Sequence, residues 1–184
     1  MKIKSIVALS IILVSGTSSA SFNDSFLDNI NDIVLMEFAD GSQYTGQVGE
    51  CVIDLDMTTC MHGKGIYILK AGSKYMGDFL NNKPNGKGLF RHADGQSFEG
   101  DFYDGMIEGH GVMIYPNGLR YEGSYKKNKR EGFGIMTFKD AVIYQQNSRY
   151  EGSWKNDMAN GEMIYLNDGR RLRGLFKENA FVGS

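Results

Sequence analysis

A 23-residue period in glycine and aromatic residues constrains this chain more than any other feature. Gly77, Gly100 and Gly123 each stand two residues after a ring, in "KYMGDF", "SFEGDF" and "RYEGSY". Nine residues further on, Gly86, Gly109 and Gly132 each open a Gly-x-Gly: "GKGLF", "GHGVM", "GFGIM". Looser copies begin at Tyr44 with Gly46, Tyr150 with Gly152, and Leu172 with Gly174. Self-similarity at a fixed spacing of this length is the mark of a repeat architecture.

The departures from the period are informative too. Gly63 follows Gly46 by about eight residues more than the nine of the other copies, and both cysteines lie in that stretch, in "CVIDLDMTTC". Six extra residues around "AVIYQQ" separate Gly132 from Gly152. The fifth copy keeps Gly161 but has Met163 at the second glycine position, and the sixth has Leu172 in place of a ring.

Each unit reads as a β-hairpin. In "LRYEGSY" the alternation puts Tyr121, Gly123 and Tyr125 on one face and Arg120, Glu122 and Ser124 on the other. "GHGVMIY" places Gly109, Gly111, Met113 and Tyr115 together in the same way. Asp-Gly in "ADGQ" and Asn-Gly in "PNGL" supply positive φ for two-residue turns, and Pro84 and Pro116 also fall in turns. The expected fold is all-β: an extended antiparallel meander of tandem hairpins, about five full repeats and a truncated sixth. Adjacent strands lie about 4.8 Å apart, so an unbroken row of rings would be overcrowded. Glycine at alternate sites gives each ring a floor. Phosphate binding by these glycines is not expected, because no copy has a third glycine, a Gly-Lys-Ser/Thr or a following helix.

The pattern resembles the MORN (membrane occupation and recognition nexus) repeat. Tyr75, Gly77, Phe79, Gly86, Gly88, Asp94 and Gly95 carry the resemblance, as do Phe98, Gly100, Phe102, Gly109, Gly111, Asn117 and Gly118. Tyr121, Gly123, Tyr125, Gly132 and Gly134 continue it, followed by Tyr150, Gly152 and Trp154. It covers roughly residues 38–177. The resemblance implies a scaffold that binds proteins or membranes and has no chemistry of its own.

The N-terminus reads as an export leader: basic "MKIK", apolar "IVALSIILV" and a small-residue cleavage site ending at Ala20. The apolar run is shorter than the about 20 residues that span a bilayer. The domains expected are therefore a signal peptide at 1–20, an N-terminal segment at 21–37 and a repeat domain at 38–184, in a secreted or periplasmic protein. With formal net charge −2, and two lysines fewer after cleavage, the chain lacks the basic footprint of a nucleic-acid binder. In an exported protein Cys51 and Cys60 are expected to form a disulfide. His62, Asp54 and Asp56 lie close by, but two thiols and one histidine fall short of a structural zinc set, so no metal is expected. No cofactor and no catalytic constellation is expected either, since His62, His92 and His110 belong to different repeats.

In the segment before the repeats, Phe22, Phe26, Ile30 and Val34 are spaced four apart, which predicts an amphipathic helix capping the open sheet. Three surfaces remain as candidates. The aromatic face carries Tyr75, Phe98, Tyr121, Tyr150 and Trp154, packed or open as a groove. The opposite face carries an apolar stripe of Ile66, Ile68, Leu89, Val112, Ile114, Phe133, Ile135, Ile164 and Leu166, to be covered by the N-terminal helix, sheet curling, a protein partner or a second copy in a homodimer. The run Lys126, Lys127, Lys129 and Arg130 is a hairpin turn or, alternatively, a site for anionic lipid. The function expected is a non-catalytic scaffold for protein–protein interaction, the alternative being a peripheral membrane-lipid binder.

Overall fold

The computed structural model describes residues 3–8, 33–53, 56–138, 148–167 and 169–184. They fall into two compact units, Met1–Ala93 and Asp94–Ser184. The first holds β1 (Ile3–Ala8), β2 (Val34–Phe38), β3 (Gln43–Ile53), β4 (Asp56–Ile68), β5 (Lys74–Leu80) and β6 (Lys83–Arg91). The second holds β7 (Ser97–Tyr103), β8 (Met106–Ile114), β9 (Arg120–Lys126), β10 (Lys129–Thr137), β11 (Arg149–Lys155), β12 (Met158–Asn167), β13 (Arg170–Lys177) and β14 (Ala180–Gly183). Within each unit every strand pairs antiparallel with the next in chain order, the meander expected from the period.

The two ends of each hairpin use different turns. At the Asp-Gly and Asn-Gly sites the loop is one residue longer than the expected two-residue turn. Gly118 N donates to Tyr115 O (2.9 Å), Tyr115 N donates to Leu119 O (2.9 Å), and Gly118 sits at φ 79°. This is a type I turn closed by a left-handed glycine. The two-residue turns lie at the opposite ends, at Asn81-Asn82, Asp104-Gly105, Lys127-Asn128, Asn156-Asp157 and Glu178-Asn179, with both residues at positive φ. The "KKNKR" run is thus a hairpin turn, centred on Lys127 and Asn128.

Four of these tight turns each lock a repeat to the one before it. Asn128 N donates to Ile107 O (2.9 Å), and Asn128 Oδ1 accepts from Ile107 N (2.7 Å). Asn82 repeats the exchange with Met61, Asp157 with Arg130, and Asn179 with Ala159.

Two expectations at the N-terminus change. Val34, placed in the helix by its spacing, belongs to β2, so the sheet begins before residue 38. Alternation decides it: Met36 and Phe38 are buried and Glu37 between them is exposed. The turn to β3 is fixed by Asp40, which accepts from both Ser42 N (2.9 Å) and Ser42 Oγ (2.6 Å). The rest of the expected helix, and the "AVIYQQ" insert, lie outside the described residues. Ile3–Ala8, within the expected leader, pairs with β2 as β1.

Candidate functional site

The glycines line up across the sheet. In the first unit Gly46 pairs with Gly65, Gly65 with Gly77 and Gly77 with Gly88. In the second, Gly100, Gly111, Gly123, Gly134 and Gly152 form the same file. The rings Tyr44, Tyr75, Phe98 and Tyr121 each lie across one pair. A Cβ on Gly123 would stand 2.5 Å from Gly134 Cα and 2.7 Å from Tyr121 Oη, and one on Gly134 would overlap the Tyr121 ring itself. The tyrosine hydroxyl ends on a carbonyl three residues along: Tyr44 donates to Gln47 O (2.5 Å), Tyr75 to Asp78 O (3.0 Å) and Tyr121 to Ser124 O (3.3 Å). The first glycine of Gly-x-Gly has a different reason. Gly132 sits at φ 88°, in the bulge where the return strand shifts register between Arg130 and Gly134.

The rings then pack edge-on. Tyr121 meets Tyr125 of its own repeat at 5.3 Å and Trp154 of the next at 5.4 Å. Phe98 does the same with Phe102 (5.3 Å) and Tyr125 (5.2 Å), and Phe79 receives both Tyr75 (5.0 Å) and Tyr44 (5.2 Å). Burial is nearly complete for Tyr75, Phe98 and Tyr121, and Trp154 is buried with Nε1 donating to Gly134 O (3.2 Å). These four are core, and no ligand can lie on them. Tyr150 is the exception and remains half-buried.

Tyr150 differs because of Met163. The Met163 sulfur occupies the space over Gly152 where the ring would have lain: a Cβ on Gly152 would meet Sδ at 2.6 Å. Tyr150 instead packs on Tyr165 at 4.7 Å, with the rings inclined by 32°. Beside it opens a cleft of about 310 Å³ over β11, β12 and β13, floored by Gly174.

The opposite face is not the continuous stripe expected from the return strands. In the second unit the row reads Glu99, Val112, Glu122, Ile135, Glu151, Ile164, Arg173. The next row reads Ser97, Ile114, Arg120, Thr137, Arg149, Leu166, Arg171. Arg120 pairs with Glu122 at 2.8 Å and Arg149 with Glu151 at 3.5 Å, between the aliphatic residues. Phe133 (61 % exposed) and Ile114 (45 %) protrude from this lattice, while Val112, Ile135, Ile164 and Leu166 are half-buried. In the first unit the row is apolar throughout apart from Thr45: Leu35, Thr45, Ile66, Met76, Leu89. Ile66 is buried, Leu89 half-buried and Ile68 exposed.

The basic turn divides in the same way. Lys126, Lys127 and Lys129 are exposed. Arg130 lies over Trp154, its Nε bonds Asp157 Oδ1 (3.2 Å), and an Nη donates to Asp157 O (2.6 Å), so it serves the packing. Cys51 and Cys60 are buried, each with a free thiol, so the structure does not show the expected disulfide. Cys51 pairs with Thr58 and Cys60 with Gly49, so the two stand diagonally across the hairpin with their side chains in hydrogen-bond contact. Burial, with a hydrogen bond to Cys51, pushes the Cys60 thiol up to about 12. Sequence reasoning missed the latch residues Asn82, Asn128, Asp157 and Asn179, although the period itself places an Asn or Asp there.

A file of glycines roofed by edge-packed rings, with bulged return strands and latched turns, defines a tandem β-hairpin repeat protein. The MORN repeat family matches residues 61–74, 75–97, 98–120, 121–140 and 150–162, just over half the chain. The chain belongs to that family. Three of the matched segments begin on Tyr75, Phe98 and Tyr121, the rings that lie over the glycine pairs. Comparison with curated proteins gives no match. Among 31 solved chains that are similar is the TCP domain of SAS-4 (dCPAP) of Drosophila melanogaster, in complex with a proline-rich motif of Ana2 (dSTIL). It is 12% identical with a TM-score of 0.39, over 79% of this chain and 84% of that one.

Proposed function

We propose that the chain is a non-catalytic, exported scaffold that binds a protein partner on the outer face of its second unit. The observation that carries this reading is Phe133, an aromatic side chain 61 % exposed, paired across the sheet with Ser153 and followed on its face by the rows that hold the Arg120–Glu122 and Arg149–Glu151 pairs. A large ring left in solvent among ordered charges has the anatomy of an interface: an aromatic anchor with a polar rim. Leader cleavage after Ala20 belongs to the same proposal, and protein recovered from its native host then begins at Ser21.

The experiment compares wild type with Phe133→Asp and Ile114→Asp together, both exposed and away from the ring core. Melting temperature should hold, while co-purification of the native partner from the envelope fraction is lost. Retained co-purification removes the outer face from consideration. Flotation with anionic liposomes tests the lipid alternative, which rests on Lys126, Lys127 and Lys129 now that Arg130 is engaged in packing. Flotation abolished by neutralising those lysines would favour the membrane over the protein partner.

A further inference from the structure

We propose that the β1 side of β2 is a docking edge for an extended segment of a partner protein, which adds to the sheet as an antiparallel strand. The structure shows the kind of occupant this edge takes. β1 (Ile3–Ala8) lies at the end of the sheet and pairs antiparallel with β2, with Ile6 opposite Met36, Ala8 opposite Val34 and Ile3 opposite Phe38. All of β1 falls within the leader, and the proposal rests on the cleavage after Ala20 inferred above. Cleavage removes β1 and makes β2 an edge strand, whose backbone groups on that side lose their partners. Proteins commonly blunt such edges with proline, bulges or several charges. The sequence of β2, "VLMEF", has no proline and one charge, Glu37. Its ring face also calls for an apolar neighbour. Met36 pairs with Tyr44, and Phe38 meets Tyr67 at 5.7 Å. With β1 in place, Met36 is 1 % exposed and Phe38 2 %.

Main-chain pairing gives such a site its affinity, and alternate side chains give it selectivity. The segment that fits is therefore extended, free of proline in the paired stretch, and aliphatic at every second residue, as Ile6 and Ala8 are. A second copy offering its own β2 is the competing occupant. Five residues a side falls far short of the about 20–30 a side of a stable protein–protein interface, so the edge suits a short segment better. β2 belongs to the first unit and Phe133 to the second, so this proposal and the outer-face reading fail independently.

The test is fluorescence anisotropy with a dye-labelled Lys-Ile-Lys-Ser-Ile-Val-Ala peptide, residues 2–8 of this chain, and its Ile6→Pro, Val7→Pro form. Neighbouring amides of a strand point to opposite sides, so the double change removes a donor toward β2 whichever of the two faces it. The proteins are the chain recovered from its native host and the uncleaved chain of 184 residues. The native chain should bind the first peptide at least about tenfold more tightly than the proline form, and hydrogen exchange at residues 34–38 should slow on binding. The uncleaved chain should bind at least about tenfold more weakly than the native one, because its own β1 competes at high effective concentration. A native chain that begins at Ser21 and does not bind overturns the proposal. Equal binding of the two peptides, equal binding by the uncleaved chain, or protection confined to other strands does the same. So does a native dimer that the peptide dissociates, because the edge then belongs to a second copy. A native chain that begins at Met1 overturns the leader reading and this proposal with it, and intact mass identifies that failure.

Discussion

The Arg130 guanidinium lies 4.4 Å from the centre of the Trp154 ring and 5.5 Å from that of Tyr121, clamped between the rings of successive repeats. Arg130→Ala loses this stacking and the charged hydrogen bonds to Asp157, and should lower stability by about 2–3 kcal/mol. Changing Lys126, Lys127 and Lys129 together to Gln should leave the melting temperature nearly unchanged. Denaturant melts of the two variants check this, and equal losses would reject the clamp.

The two glycines of "GFG" should respond differently to substitution. Gly134→Ala drives a methyl into the buried Tyr121 ring, an overpacking cost of about 1–3 kcal/mol or more. Gly132→Ala meets nothing closer than Ser124 Cβ at 3.4 Å and pays only for its φ of 88°, about 1 kcal/mol. Glu122→Val, on the outer face, should be nearly neutral. Thermal melts that rank Gly132 above Gly134 would remove the account of the rings.

The Tyr125 hydroxyl is buried without a hydrogen-bond partner. Phe79 and Phe102 hold the equivalent position in other repeats, so the space accepts a bare ring. Tyr125→Phe should raise stability by about 1 kcal/mol, because it removes an unpaired polar group. A lower midpoint in urea would show that the hydroxyl is satisfied.

Burial pushes the Tyr121 phenol up to about 12, and it also raises Tyr44, Tyr75 and Tyr125. Unfolded tyrosine ionises near 10, so the folded state is favoured in full below that value and loses this stability as pH rises toward 12 and beyond. Tyrosinate absorbance should therefore lag in the native protein and rise together with the loss of far-ultraviolet circular dichroism. Titration of every tyrosine near 10 with the fold intact would contradict the buried rings.

Cys51 and Cys60 should resist maleimide in the native protein at neutral pH, being buried, with the Cys60 thiol held protonated. In denaturant without reductant both should label. A denatured chain that takes no label would instead carry the disulfide.

The period alone determined the repeat, its hairpin units and its family, because ring, glycine and turn must recur at one spacing for hairpins to stack. Tyr121, Gly123 and Gly134 are legible for that reason: strand alternation already puts them on one face. Val34 was misassigned because four-residue spacing and two-residue alternation coincide there, and only pairing with β3 separates them. The outer stripe was misjudged for a similar cause. Val112, Ile135 and Ile164 are continuous along the return strands, but register inserts Glu122 and Glu151 between them, and register is a relation between strands. Arg130 read as a surface charge until Trp154, twenty-four residues away, was packed beneath it. Met163 and Leu172 were visible as lapses in the motif. That the lapses leave an open cleft, and do not simply collapse, depends on where Tyr150, Tyr165 and Phe181 come to rest, which the tertiary structure alone decides.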